Sequence, residues 1–304
     1  MPSDSEIACR LRQHGISCSF VKVEHLPQLK EEIASGKERG LIDPALYGAY
    51  LSYFRFSVPR TLPGARCIVV MSIPQPALAV TFQRHGKMRR LVVPPTYADF
   101  RKTERRVRAL IKEAVGDRHR FVRCRLPLKL LASKSGLTSY GRNNIAYAPV
   151  SGSYIRLMAF FTDCQCTADG WQDSEPRMLP LCATCDLCIK ACPTGAILKD
   201  RFRIASERCI TYFSEKPAKK AFPEGVDFRA QRTIIGCMAC QEACPYNNKA
   251  KLQCEDRASF TEEETEFLLR GGRSGPLKAR VERKLKRAGL DLTVFPRNLA
   301  AHLC

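Results

Sequence analysis

No stretch of the 304 residues approaches eighteen uninterrupted apolar positions, so no segment reads as a membrane-spanning helix. Neither GxGxxG nor a GxxxxGK-type phosphate loop occurs, which leaves dinucleotide and P-loop nucleotide binding without their glycines. The opening MPSDSEIACRLRQHG lacks the basic region, apolar core and small-residue cleavage site of a secretory signal. Ser3 and Glu6 instead have capping-box spacing, and Gly15 stands where a helix C-cap belongs. A cytoplasmic location is expected. Histidine is sparse, with five scattered positions: His14, His25, His85, His119 and His302.

Acidic residues are also short, 30 against 50 Lys and Arg, for a formal charge of +20. The excess is concentrated. Residues 84–142 carry a net +13 and residues 270–287 a net +7, which together equal the whole imbalance. Such segments attract polyanions, of which nucleic acid is the commonest.

The 45% hydrophobic and 26% charged fractions are those of an ordinary folded chain. Residues 1 to about 60 are expected to be helical, with PQLKEEIASG ending at Gly36 and an aromatic stretch, YGAYLSYFRF, after it. CIVVMSI (67–73) and YIRLMAFF (154–161) read as buried strands, and Arg120–Arg125 as a further strand. Residues 97–115 place Phe100, Val107, Leu110, Ile111 and Val115 at helical intervals beneath a charged face. Helices are also expected at 127–134 and 276–288, and after Thr261, whose spacing to Glu264 repeats the capping box. The pattern implies an α/β or α+β unit over residues 1–175, a cysteine-rich module over 176–250 and a short helical tail over 251–304.

Sixteen cysteines in a reducing compartment call for something other than disulfides. Eight are scattered, including the pair Cys164 and Cys166 in TDCQC. The other eight have ligand spacing. Cys182-x2-Cys185-x2-Cys188-x3-Cys192-Pro193 is the bacterial ferredoxin run, whose fourth cysteine serves the other cluster. Cys237-x2-Cys240-x3-Cys244-Pro245 matches its last three positions, with Ile234 where the first cysteine belongs. Cys209, between the tracts, can supply the missing ligand. Cys182, Cys185, Cys188 and Cys244 would then hold one [4Fe–4S] cluster, and Cys209, Cys237, Cys240 and Cys192 the other. Soft thiolates suit iron. Zinc also binds CxxC pairs, but it does not account for two CxxxCP tracts that divide into crossed fours.

CATCDLCIKACPTGAI, ERCITYF and GCMACQEACPYN together resemble the cluster domain of the epoxyqueuosine reductases, the intervening cysteine included. LASKSGLTSYGRNNI is similar to that family's AGLG-x2-GKN segment, and GSYIRLMAFFTD to its GSW-to-TD strand. TEEETEFLLRG and PRNLAAHL resemble pieces of the region after the clusters, so the resemblance covers roughly residues 60–304. It implies that the N-terminal domain binds cobalamin over one cluster, base-off and without a protein ligand; no DxHxxG motif is present. It implies cobalamin contacts at Gly136, Gly141, Arg142 and Asn143. TYADFRK offers Asp99 where the family has its proton donor, with Arg101 in place of a histidine.

The expected function is thus a cobalamin-dependent iron–sulfur oxidoreductase that reduces epoxyqueuosine in tRNA to queuosine. It would receive electrons from an external donor and meet tRNA through segments 84–142 and 270–287. Two other readings are an electron-transfer protein that reduces a partner such as a corrinoid protein, and a cobalamin-dependent reductase of a small molecule.

Overall fold

The computed structural model describes residues 3–199, 204–217, 221–222, 228, 231–272, 274–290 and 295–303. Arg273, within the second basic segment, and Cys304 lie outside the described residues.

Helix α1 (Ser3–Gln13) buries Ile7 and Leu11, four residues apart on one face, and the chain reverses at Gly15 with φ +72°. Beyond this turn the structure departs from the expected run of helix. Residues Ser17–Lys22 form strand β1, because their backbone pairs along β2 (Cys67–Pro74), a tertiary demand that overrides local preference. Helix α2 (Leu26–Glu38) runs two residues past Gly36. Strands β3 (Ala77–Arg84) and β4 (Lys87–Val93), helix α3 (Phe100–Val115), strand β5 (Phe121–Arg123), helix α4 (Leu128–Lys134) and strand β6 (Ile155–Thr162) complete the region before the cysteine tracts.

The first sheet has the order β1-β2-β6-β5, antiparallel throughout. Strand β2 is buried from Cys67 to Ile73, Ser72 its one polar side chain, because helices cover both of its faces. Cys67, Val69, Met71 and Ile73 pack with residues of α1 and α3. Ile68 and Val70 pack on the other side with residues of α2 and α4.

The second sheet has the order β4-β3-β7, where β7 is Cys254–Phe260. His85 (φ +48°) and Gly86 (φ +70°) form the two-residue turn between β3 and β4, the positive-φ geometry that suits a twisted hairpin. Strand β7 runs parallel to β3. The tail therefore opens with a strand rather than a helix, since the free edge of β3 needs a hydrogen-bonding partner. Helices α5 (Glu262–Leu269), α6 (Lys278–Ala288) and α7 (Phe295–Leu303) come after it. The expected capping box is present: Thr261 Oγ1 accepts from the Glu264 N–H, and Glu264 Oε2 accepts from the Thr261 N–H at 2.9 Å. Leu78, Val80, Phe82, Leu91 and Val93 share one core with Leu268, Val281, Leu285 and Leu299, so the packing does not break at residue 250. No described helix is long and apolar enough to cross a membrane.

Helix α7 also fastens the cysteine-rich region. Asn298 Nδ2 donates to the carbonyls of Ser214 (2.9 Å) and Ile234 (3.0 Å). His302 Nε2 lies 3.0 Å from the Thr233 carbonyl, which fixes the proton on that nitrogen, and its Nδ1 is buried with no hydrogen-bond partner. Burial lowers the His302 pKa to about 4. Between that value and the ordinary 6.5, the unfolded chain takes up a proton that the folded chain refuses. Stability should therefore fall as pH drops from 6.5 to 4, by up to about 3 kcal/mol. Denaturant midpoints measured against pH should show this slope, and His302→Gln should flatten it.

Candidate cluster and cofactor site

Each cysteine tract is a chain of tight turns. Cys188 lies on the one-turn helix Leu187–Lys190 and Cys240 on its counterpart Ala239–Glu242, and these two helices pack together. Cys209 caps a third short helix, Ile210–Ser214.

The thiols converge into two groups. Cys182, Cys185, Cys188 and Cys244 line one small cavity and lie within electrostatic reach of one another. Cys192, Cys209, Cys237 and Cys240 form the second group. Each group thus takes one member from the other's tract, as the ligand count requires. Burial, and then repulsion from neighbouring thiols, lifts Cys188 and Cys237 to about 11 and Cys240 higher still. Four converging sulfurs are a donor set for iron, and metal binding displaces thiol protons.

The segment Gly141-Arg142-Asn143 is a wall of both groups. The Arg142 N–H points at Cys182 Sγ (3.4 Å), and its guanidinium donates to the carbonyls of Cys182 and Lys199. Asn143 Nδ2 donates to the Cys240 carbonyl (3.3 Å) and to the Tyr147 hydroxyl (2.9 Å). A Cβ on Gly141 would stand 2.5 Å from Asn143 Oδ1 and 2.6 Å from the Tyr147 ring, so only glycine fits there. Donors aimed at cluster sulfurs are one of the levers that set their potential.

The residues flanking this segment turn the other way. Tyr140 and Asn144 line a cavity of about 500 Å³, together with Leu126, Leu128, Ile42, Phe54, Lys129 and Ser206. Lys129 Nζ donates to Asn144 through its carbonyl (2.8 Å) and Oδ1 (2.7 Å). The lysine is open to the cavity yet enclosed by protein, and that enclosure lowers its pKa to about 8; Cys209 pulls the other way. One short loop therefore touches the cysteines with its centre and the cavity with its ends. Gly136 lies apart, at the end of α4 with φ +71°, facing Gln172.

Asp99 precedes α3 with φ +48°, and Arg257 Nη2 holds its carboxylate at 2.6 Å. It is not among the cavity's lining residues. Tyr97, two residues earlier, donates its hydroxyl to Glu215 beside the second thiol group; burial raises the pKa of both. Tyr97, Glu215, Lys129 and Tyr147 were not singled out from the sequence. A lone lysine inside the apolar run PLKLLA is the one local signal among them. The histidines do other work: His25 stacks on Trp171, and His119 spans Asp163 and Ser3. Cys164 and Cys166 pack with Cys67 in the core of the first sheet.

Because Cys209 reaches the second group from outside both tracts, Cys209→Ser should cost one cluster and spare the other. Iron and sulfide content per chain, read with electron paramagnetic resonance, should fall by about half while the first group's signal persists.

Residues 181–247 match the model of a 4Fe-4S double cluster binding domain. The epoxyqueuosine reductase of Cyclobacterium marinum is 29% identical over 183 residues, 59% of this chain and 54% of that relative. The chain thus aligns with about half the length of that relative. The structure of epoxyqueuosine reductase from Streptococcus thermophilus superposes with a TM-score of 0.69 at 19% identity, covering 99% of this chain and 80% of that one. A crystal structure of epoxyqueuosine reductase with an epoxyqueuosine-modified tRNA-Tyr stem loop superposes at 0.62, with 18% identity and the same coverage. The chain thus carries a 4Fe-4S double cluster binding domain at its cysteine-rich centre, within a fold and a sequence similar to those of the epoxyqueuosine reductases.

Proposed function

We propose that the chain is a cobalamin-dependent reductase that converts epoxyqueuosine to queuosine in tRNA. The observation that carries this is the loop 140–144, which joins the wall of both thiol groups to a half-open cavity with mixed lining. A simple electron carrier has no need of such a cavity beside its second cluster.

The lining suits cobalamin. Leucines and Phe54 offer apolar contact to a flat macrocycle, while Lys129, Tyr140, Asn144 and Ser206 offer donors and acceptors to its amide arms. When bound, cobalamin would supply a low-potential cobalt centre for reducing an epoxide. The eight cysteines would hold the clusters that bring electrons to the cavity. Arg142 and Asn143 would orient the cluster ligands; their contacts run to cysteines rather than into the cavity.

Asp99 is the proposed general acid, which would protonate the substrate as electrons arrive. To serve, its carboxylate has to leave Arg257 and reach the cavity. The exposed basic side chains of α3, among them Arg101, Lys102, Arg105 and Arg106, are the proposed phosphate contacts. Helix α3 covers the sheet face opposite α4, so the RNA would have to span more than the cavity mouth. Part of the positive charge is already committed within the protein: Arg90 pairs with Asp256, and Arg280 and Lys284 with the buried Glu264.

Anaerobic purification with reconstituted clusters, followed by absorption spectroscopy for bound cobalamin, tests the cofactor. No binding would favour the reading of a carrier for a corrinoid protein. A turnover assay on epoxyqueuosine-containing tRNA then separates a tRNA enzyme from a small-molecule reductase. Asp99→Asn should abolish turnover with cluster content intact, and tRNA affinity should fall steeply with rising salt.

A further inference from the structure

The two thiol groups differ in what surrounds them. The second lies within electrostatic reach of the cavity's Lys129, through Cys209. The first shares no lining residue with that cavity, and its own small cavity is bordered by Leu181. Among the described residues five large apolar side chains are exposed, and two of them bracket this group: Leu181 (42%) and Leu187 (44%). Exposed leucines beside a redox centre have no packing role to explain them.

Charge of both signs surrounds them, with the basic side chains in excess. Lys199 and Lys249 are exposed near the group, Lys199 through its carbonyl's bond to Arg142 and Lys249 on the turn after Cys244. The acids in this neighbourhood are already taken up, Asp186 by Lys190 and Glu242 by Arg232. A small apolar centre with a basic rim fits the brief encounters of electron transfer, which bury less than about 1,200 Å² and rely on charge for steering.

We propose that this face, centred on Leu181 and Leu187, docks a small acidic electron-carrier protein, which delivers electrons through the group Cys182, Cys185, Cys188 and Cys244. The inference rests on the reading of these cysteines as cluster ligands. In each encounter the carrier's reduced centre loses one electron and the cluster gains one; no bond is made or broken. The second group then lies between the point of entry and the cavity.

The test uses the full chain with both clusters and follows the bleaching of cluster absorption in an anaerobic stopped-flow experiment, without tRNA or cobalamin. Photoreduced flavodoxin, an acidic carrier, and dithionite are the two reductants. Leu187→Glu and Lys249→Glu should each slow reduction by flavodoxin about tenfold or more, and Lys249→Glu should reduce its salt dependence. Leu187→Met should keep the original rate, and dithionite should reduce every variant equally. Unchanged rates with flavodoxin, failure of flavodoxin to reduce the unaltered chain, or equal slowing with dithionite would each overturn the proposal. Lack of turnover on tRNA would leave these rates untouched, whereas an unaltered chain without cluster absorption would refute the cluster reading itself.

Discussion

Eight thiols drawn from three separate stretches have to meet as two groups of four, and each group must borrow a member from the other's tract. That crossing sets the rest of the molecule. It forces the turns at 182–192 and 237–244 side by side and pulls in the segment around Cys209. Burial, and then repulsion from neighbouring thiols, raises the pKa of Cys188 and Cys237, so binding a metal there releases protons and couples to the ordering of this region.

The surrounding fold exists to hold that event in place. The first sheet carries the 140–144 loop against both groups from one side. On the other side the tail returns to complete the second sheet, and α7 reaches down through Asn298 and His302 to the carbonyls of Ser214, Thr233 and Ile234. Cluster wall and cavity thus meet at one loop, residues 140–144. The Arg142 and Asn143 donors stand where small changes would shift cluster potentials without touching the cavity.

Features that depend on near neighbours along the chain were legible in the sequence. Cysteine spacing, the capping box at Thr261 and the doubly covered strand β2 are of this kind, and all are visible in a dozen residues. Strand β7 was not legible, because CEDRASF holds three consecutive charges and becomes a strand only by pairing with β3, whose Ala77 pairs with Cys254 from far earlier in the chain. The β3–β4 hairpin was legible in principle from His85-Gly86 between apolar runs. In the site, Lys129 reads only as part of the basic segment 84–142, and its place in the apolar run PLKLLA is the one local mark of the distant elements that gather around it. Asp99 is a similar case: its partner Arg257 lies on β7 and could not be foreseen from TYADFRK.

Ile234 stands where a complete ferredoxin motif would have its first cysteine, and it is fully buried among β3, β4 and the tail helices, its N–H bonded to the Val92 carbonyl. The residue that left the ligand shell became a rivet between the cluster region and the second sheet. A piece cut out at residues 176 and 250 would keep every sulfur and lose the surface that Ile234 is fastened to. The coordination pattern looks portable on paper, yet in this chain it has been traded for dependence on the whole: the clusters cannot be lent to another protein without lending the sheet as well.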